Sequence, residues 1–94
     1  MPQSSRRRVA IVGATGVAGQ QFLASLEGHP WFEVVALAAS ARSAGKPYRK
    51  AISDPNGALR WGCEEPLPAR FAGMPVLDAA QLDLAGIDLV FSAV

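Results

Sequence analysis

Residues 13–19 read GATGVAG, with glycine at positions 13, 16 and 19, between two segments of opposite character. Residues 9–12, VAIV, are an uninterrupted apolar run that suits a strand buried on both faces of a parallel sheet. From Val17 the apolar residues recur at helical spacing. Ala18, Phe22 and Leu26 fall at i, i+4 and i+8 with Leu23 beside them, while Gln20, Gln21, Ser25 and Glu27 lie away. Gly28 supplies a stop, and Pro30 follows two residues on. A glycine triplet alone says little, but a strand that turns through glycines directly into a helix is the setting of the dinucleotide fingerprint.

Each glycine has its own task in that setting. Gly13 permits a sharp turn off the strand, Gly16 lets a phosphate approach the backbone, and Gly19 lets the helix pack closely on the sheet. The first N–H groups of the helix have no partner within it, and the helix dipole favours negative charge there. The Thr15 hydroxyl can bond a phosphate oxygen or the turn itself. A tight turn without a ligand is the plain alternative; the context favours a bound nucleotide.

Residues 33–39, EVVALAA, read as a second buried strand and complete a βαβ unit. NAD-binding versions of this unit place an acidic residue at the end of the second strand, where it bonds the ribose 2′-hydroxyl. Here the strand runs out through Ala38, Ala39, Ser40, Ala41, Arg42 and Ser43, with Lys46 close behind and no carboxylate. A guanidinium flanked by hydroxyls suits a 2′-phosphate, which favours NADP over NAD. Ordinary solvated loop charges are the competing explanation.

The stretch 40–75 carries Pro47, Pro55, Pro66, Pro68 and Pro75, so loops, a short helical turn and one edge strand are expected. Asp78 is placed to cap a short helix over residues 79–82, and residues 89–94, LVFSAV, read as a third strong strand. Residues 1–6 are expected to form a disordered tail, and 7–94 the N-terminal part of a Rossmann-like NADP-binding domain, without a catalytic domain. A parallel strand normally leads on through a helix, so the sheet is expected to be incomplete, with exposed apolar surface and a tendency to self-associate.

Composition narrows the options. Ninety-four residues allow one small domain, and half of them are hydrophobic. Nine basic and eight acidic side chains leave a net charge of +1, which argues for neither nucleic acid nor an anionic membrane as partner. Arg6, Arg7 and Arg8 precede an apolar run, but glycines break it too early for a signal peptide. No stretch approaches the roughly 20 apolar residues of a membrane span. A single cysteine, Cys63, allows no intramolecular disulfide, and a cytoplasmic chain is expected.

Taken together, VAIVGATGVAGQQFLASLEGHPWFEV, then LAASARSAGKPY, then DLVFSAV resemble the start of the aspartate-semialdehyde dehydrogenases, in the branch found in archaea and fungi. The likeness covers most of residues 7–48 and again 86–94. It implies a Rossmann-like three-layer α/β fold with a mostly parallel sheet, followed in the family by a catalytic and dimerisation domain. It further implies that Thr15, Gly16, Val17 and Ala18 touch the cofactor phosphates beside Gly13. Ser40, Arg42 and Ser43 would hold the 2′-phosphate of NADP, and Ser92 with Ala93 would line the nicotinamide side. Relatives more often carry a larger residue where Ala18 stands. The family uses NADPH to reduce an aspartyl phosphate to the semialdehyde, through a cysteine thioester and a histidine acid/base. Both residues follow the last strand seen here, so the resemblance implies a homo-oligomeric parent enzyme and a chain that is inactive alone.

Other candidates are set aside on their surroundings. Cys63 neighbours Glu64 and Glu65, whose charges disfavour a thiolate, and it lies far upstream of the family's reactive cysteine. His29 has no suitably spaced partner and reads as a surface or capping residue, and Trp31 and Phe32 are expected to pack under the crossover. Asp83 and Asp88 read as solvated turn residues. Reductases of acetylglutamyl phosphate or malonyl-CoA, a non-catalytic NADP sensor, and a fragment that binds nothing are the competing readings.

Overall fold

A computed structural model describes residues 6–93. The expected tail therefore falls, apart from Arg6, outside the described residues, as does Val94. The glycine-flanking segments form β1 (Arg7–Val12), α1 (Val17–Leu26) and β2 (Phe32–Ala39). Two single-turn helices follow, α2 (Tyr48–Ala51) and α3 (Ala69–Ala72). A short strand β3 (Val76–Asp78), a 3-10 turn (Ala79–Gln81) and β4 (Leu89–Ser92) complete the chain. The sheet order is β3-β2-β1-β4 and all its pairings are parallel, a Rossmann-like α/β arrangement.

Both early strands begin before their apolar runs do. Arg7 pairs with Phe32 and its N–H donates to the Trp31 carbonyl at 2.8 Å, because strand pairing is made by backbone and needs no apolar side chain. β3 replaces what the sequence presents as the approach to a helix. It pairs Leu37 with Val76 through Ala39 with Asp78, and three residues are too few for an alternating pattern to stand out. Asp78 does cap the turn that follows, its Oδ1 accepting the Ala80 N–H at 2.9 Å. The edge strand expected between 40 and 75 is absent; isolated bridges join Pro47 to Pro75 and Ser53 to Leu59.

The core gathers Val9, Ile11, Leu23, Val34, Leu37 and Val76 together with Tyr48 and Phe71 from the proline-rich segment, all fully buried. Phe22 of α1 stacks on Phe91 of β4 at 5.4 Å between ring centroids, and Phe32 meets the same ring edge-on at 5.9 Å. The inward face of α1 is rotated from the one its apolar residues mark. It buries Gly19, Gln20, Leu23 and Leu26, while Ala18 faces solvent. Trp31 also departs from expectation: it is 71% exposed, its ring beside His29, whereas Phe32 is half-buried as expected.

The rotation of α1 follows from Gly19. A Cβ there would stand 2.7 Å from Ala14 Cα and closer still to the Gly13 carbonyl oxygen, both of them backbone. No neighbouring side chain can swing aside to make room. Gly19→Ala is expected to lower stability by about 1–3 kcal/mol through this overpacking, read from urea unfolding; a loss below about 0.5 kcal/mol, the size of an ordinary surface change, would contradict so close a contact.

Candidate dinucleotide-binding site

The strand registers bring the carboxyl ends of the sheet to one edge. Val12 lies beside Ala38 on one side and Ser92 on the other, and Ala39 beside Asp78. β1 sits where the strand order reverses, the place at which open α/β sheets form a binding crevice.

The glycine turn is built into this edge. Gly13 has φ 82°, a conformation that L side chains disfavour, and its N–H and that of Ala14 both donate to the Ala38 carbonyl, at 2.9 and 3.1 Å. Gly16 stands at the N-cap with no side-chain cap, and its carbonyl accepts the Gln20 N–H at 2.9 Å. The first-turn N–H groups of α1 therefore meet neither a helical carbonyl nor a capping oxygen. Beside the Gly16 Cα, the nearest atom a Cβ would meet is the Gly13 oxygen at 3.7 Å, so space rather than protein lies there.

Two clefts open at the strand ends. The smaller, about 430 Å³, is lined by Val12, Gly13, Thr15, Gly16, Ala39, Ser40, Ala79 and Ala93. The larger, about 1260 Å³, shares Thr15 and Ser40 and continues past Arg42, Ser43, Lys46, Arg49 and Lys50. Asp54 is the acidic residue on its wall, and its Oδ1 accepts the N–H groups of Asn56 and Ala58, each at 2.9 Å. The larger cleft is thus strongly basic in a chain whose net charge is only +1.

The sequence-selected residues divide between these clefts. Gly13, Thr15, Gly16 and Ala93 line the smaller, Arg42 and Ser43 the larger, and Ser40 both. Val17, Ala18 and Ser92 line neither and are exposed; Val17 and Ala18 contribute the start of α1, and Ser92 ends β4 beside Val12.

Sequence reasoning missed four residues at this edge: Arg49, Lys50, Gln20 and Tyr48. Arg49 and Lys50 sit on the single turn of α2, and their proximity to Arg42 comes only with the fold. Gln20 is only 3% exposed. Its Nε2 donates to the carbonyls of Thr15 and Arg60, both at 3.1 Å, and its Oε1 accepts the Gly62 N–H at 2.8 Å. The available signal was its place three residues before Leu23 on the helix. Tyr48 is fully buried, and its hydroxyl donates to the Ala14 carbonyl at 2.6 Å. Burial, with a smaller contribution from Cys63, pushes that hydroxyl well above its ordinary pKa, so it stays a donor.

Cys63 and His29 line neither cleft. Burial first, and the Glu65 carboxylate second, push the Cys63 thiol up, away from a reactive thiolate. His29 Nδ1 accepts the Trp31 N–H at 3.1 Å, a local capping role. Asp83 accepts the Ala85 N–H, and Asp88 accepts the Arg8 N–H across to β1. Among the described residues, no group of three or more His, Cys, Asp or Glu could hold a metal, and no helix is long and apolar enough to cross a membrane.

A parallel sheet with a glycine turn at its switch point and a basic cleft beside it defines a dinucleotide-binding module of the Rossmann type. The family model described as semialdehyde dehydrogenase, NAD binding domain, matches residues 8–94, and the chain belongs to that family. It is 37% identical over 92 residues to the aspartate-semialdehyde dehydrogenase of Trichophyton rubrum, a match covering 98% of this chain and 24% of that one. The enzyme of the same name from Methanothermobacter thermautotrophicus is 38% identical over 85 residues, covering 90% of this chain and 22% of that one. A crystal structure of aspartate semialdehyde dehydrogenase with NADP from Candida albicans superposes with a TM-score of 0.80 at 36% identity, covering 96% of this chain and 24% of that one. The chain spans about a quarter of the length of the relatives it matches.

Replacing Gln20 with alanine would leave the Gly62 N–H and two carbonyls without their side-chain partner. The expected loss is about 1–3 kcal/mol, with faster hydrogen exchange at Gly62. Unchanged exchange at that amide would show that Gln20 does not tie the 60–62 segment to α1.

Proposed function

We propose that this chain is the cofactor-binding portion of an NADPH-dependent aspartate-semialdehyde dehydrogenase, an enzyme of amino-acid biosynthesis. One observation carries the reading: the small cleft at the glycine turn and the basic cleft open on the same strand ends and share Thr15 and Ser40. A single dinucleotide can therefore lay its pyrophosphate on the first and its 2′-phosphate in the second. Family membership, and the similarity to a structure described with NADP, support the same conclusion.

In this reading Gly13, Thr15 and Gly16, with the first N–H groups of α1 at Val17 and Ala18, surround the pyrophosphate. Ser40, Arg42 and Ser43 hold the 2′-phosphate, the guanidinium through paired charge-assisted bonds. Ser92 and Ala93 border the nicotinamide. The residues present fit the group, since the helix start is uncapped, the space beside Gly16 is open and the second cleft is cationic. When bound, the cofactor supplies a hydride for reduction of an acyl group. In this reading the chain binds and orients the cofactor, with the nicotinamide toward β4.

The substrate assignment, aspartyl phosphate, and acyl transfer by a cysteine and a histidine rest on the family resemblance of the sequence, and the relatives' names agree with the semialdehyde product. A homo-oligomer in the cytoplasm completes the proposal. Reductases of acetylglutamyl phosphate or malonyl-CoA would use a cofactor half of the same design, and no residue of this chain favours them.

Titration with NADPH and NADH, followed by cofactor fluorescence, tests the reading. The chain is expected to prefer NADPH, and Arg42→Ala to weaken NADPH about 10- to 100-fold, the worth of a lost charged hydrogen bond, with NADH little affected. Equal binding of the two cofactors would overturn the NADP assignment.

A further inference from the structure

We propose that Tyr48 is a positioning residue that fixes the spacing between the glycine turn and the basic loop after β2, so that one cofactor engages both. Tyr48 opens α2, and its chain neighbours Pro47, Arg49 and Lys50 line the large cleft. Its own side chain points the other way. It is fully buried in a cluster with Ile52 and Phe71, and its hydroxyl reaches the Ala14 carbonyl at 2.6 Å, 34 residues back along the chain. Ala14 lies between Gly13 and Thr15, both of which line the small cleft. Among the described residues, this is the one side-chain hydrogen bond that joins residues 13–16 directly to residues 40–48.

The rest of the basic loop is held from the opposite side. Gly45 donates to the Val76 carbonyl, Val76 donates to the Lys46 carbonyl, and Tyr48 donates through its backbone to Met74, each at 2.8 Å. The loop is thus pinned to the β3 side by backbone and to the glycine turn by one phenol. A buried bond of this kind is short and geometrically demanding, and its loss strands a desolvated carbonyl. Phenylalanine would keep the ring in the core while removing the bond, so the substitution isolates the distance between the two phosphate subsites from the packing beneath them.

The inference rests on the cofactor reading above, and the test separates the two. NADPH spans both subsites, NADH relies on the pyrophosphate subsite, and 2′-AMP occupies only the basic loop. For Tyr48→Phe the preference for NADPH over NADH is expected to fall about 5- to 10-fold, the lower range of site-to-site coupling, while 2′-AMP binds as before. A preference unchanged in the variant, or a 2′-AMP affinity that falls as far as that for NADPH, would overturn the coupling while leaving the cofactor reading intact. A wild-type chain with no preference for NADPH would overturn the cofactor reading and this inference with it. If the variant does not fold, hydrogen exchange of the wild-type chain decides. Saturating 2′-AMP is expected to protect residues 13–16 as well as 40–46, and protection confined to 40–46 would overturn the proposal.

Discussion

The closeness of α1 to the end of β1 governs this molecule. At position 19 the helix lies so near the backbone of Gly13 and Ala14 that only a hydrogen atom fits between them. That contact sets the direction in which α1 leaves the sheet, and so decides where its unpaired N–H groups face. They face the edge at which all four parallel strands end, beside the loop that carries Arg42 and Ser43. Gly13, at φ 82°, makes the turn possible, and the Ala38 carbonyl holds it by accepting two successive N–H groups. The outward aim of the open helix start is therefore a consequence of helix-to-sheet packing, with one glycine deciding both.

Two buried polar side chains then hold the turn from different sides. Gln20 links it to residues 60–62, and Tyr48 links it to the start of α2. Both attach the proline-rich middle of the chain to the βαβ unit by bonding its backbone or that of the turn, and the Tyr48 bond satisfies the carbonyl of the buried Ala14. Arg70 adds a third tie, donating to the Val34 carbonyl at 2.6 Å beside an ion pair with Glu33 at 3.6 Å. The half-exposed ion pair itself contributes little; the bond to backbone anchors α3 on β2. A segment with little regular structure is ordered in this way by a few well-placed donors and two buried rings, Tyr48 and Phe71.

The first βαβ unit was legible because three signals coincide there: an apolar run, a glycine triplet and a helical period. The absence of an acid after β2, with Arg42 between hydroxyls, was equally plain. The middle was not, since Tyr48, Ile52 and Phe71 enter the core singly from short turns, and isolated residues carry no period. Gln20 was misplaced for a related reason. Polarity was read as exposure, whereas three hydrogen bonds make its burial favourable. Trp31 fails in the opposite sense, an aromatic residue left on the surface where the chain enters β2. No motif or period in the sequence groups Arg49 and Lys50 with Arg42 and Lys46, and only the fold places the four in one cleft.

Concentrating cations in one cleft of a nearly neutral chain raises the local potential where an anion would sit, an effect that net charge conceals. The central claim is that a single dinucleotide bridges the glycine turn and this cleft. A crystal structure of the chain grown with NADPH tests it most directly. The account predicts pyrophosphate oxygens within hydrogen-bonding distance of the backbone N–H groups at the start of α1, and the 2′-phosphate against Arg42. A cofactor bound elsewhere, or seated with its 2′-phosphate away from the loop after β2, would contradict it.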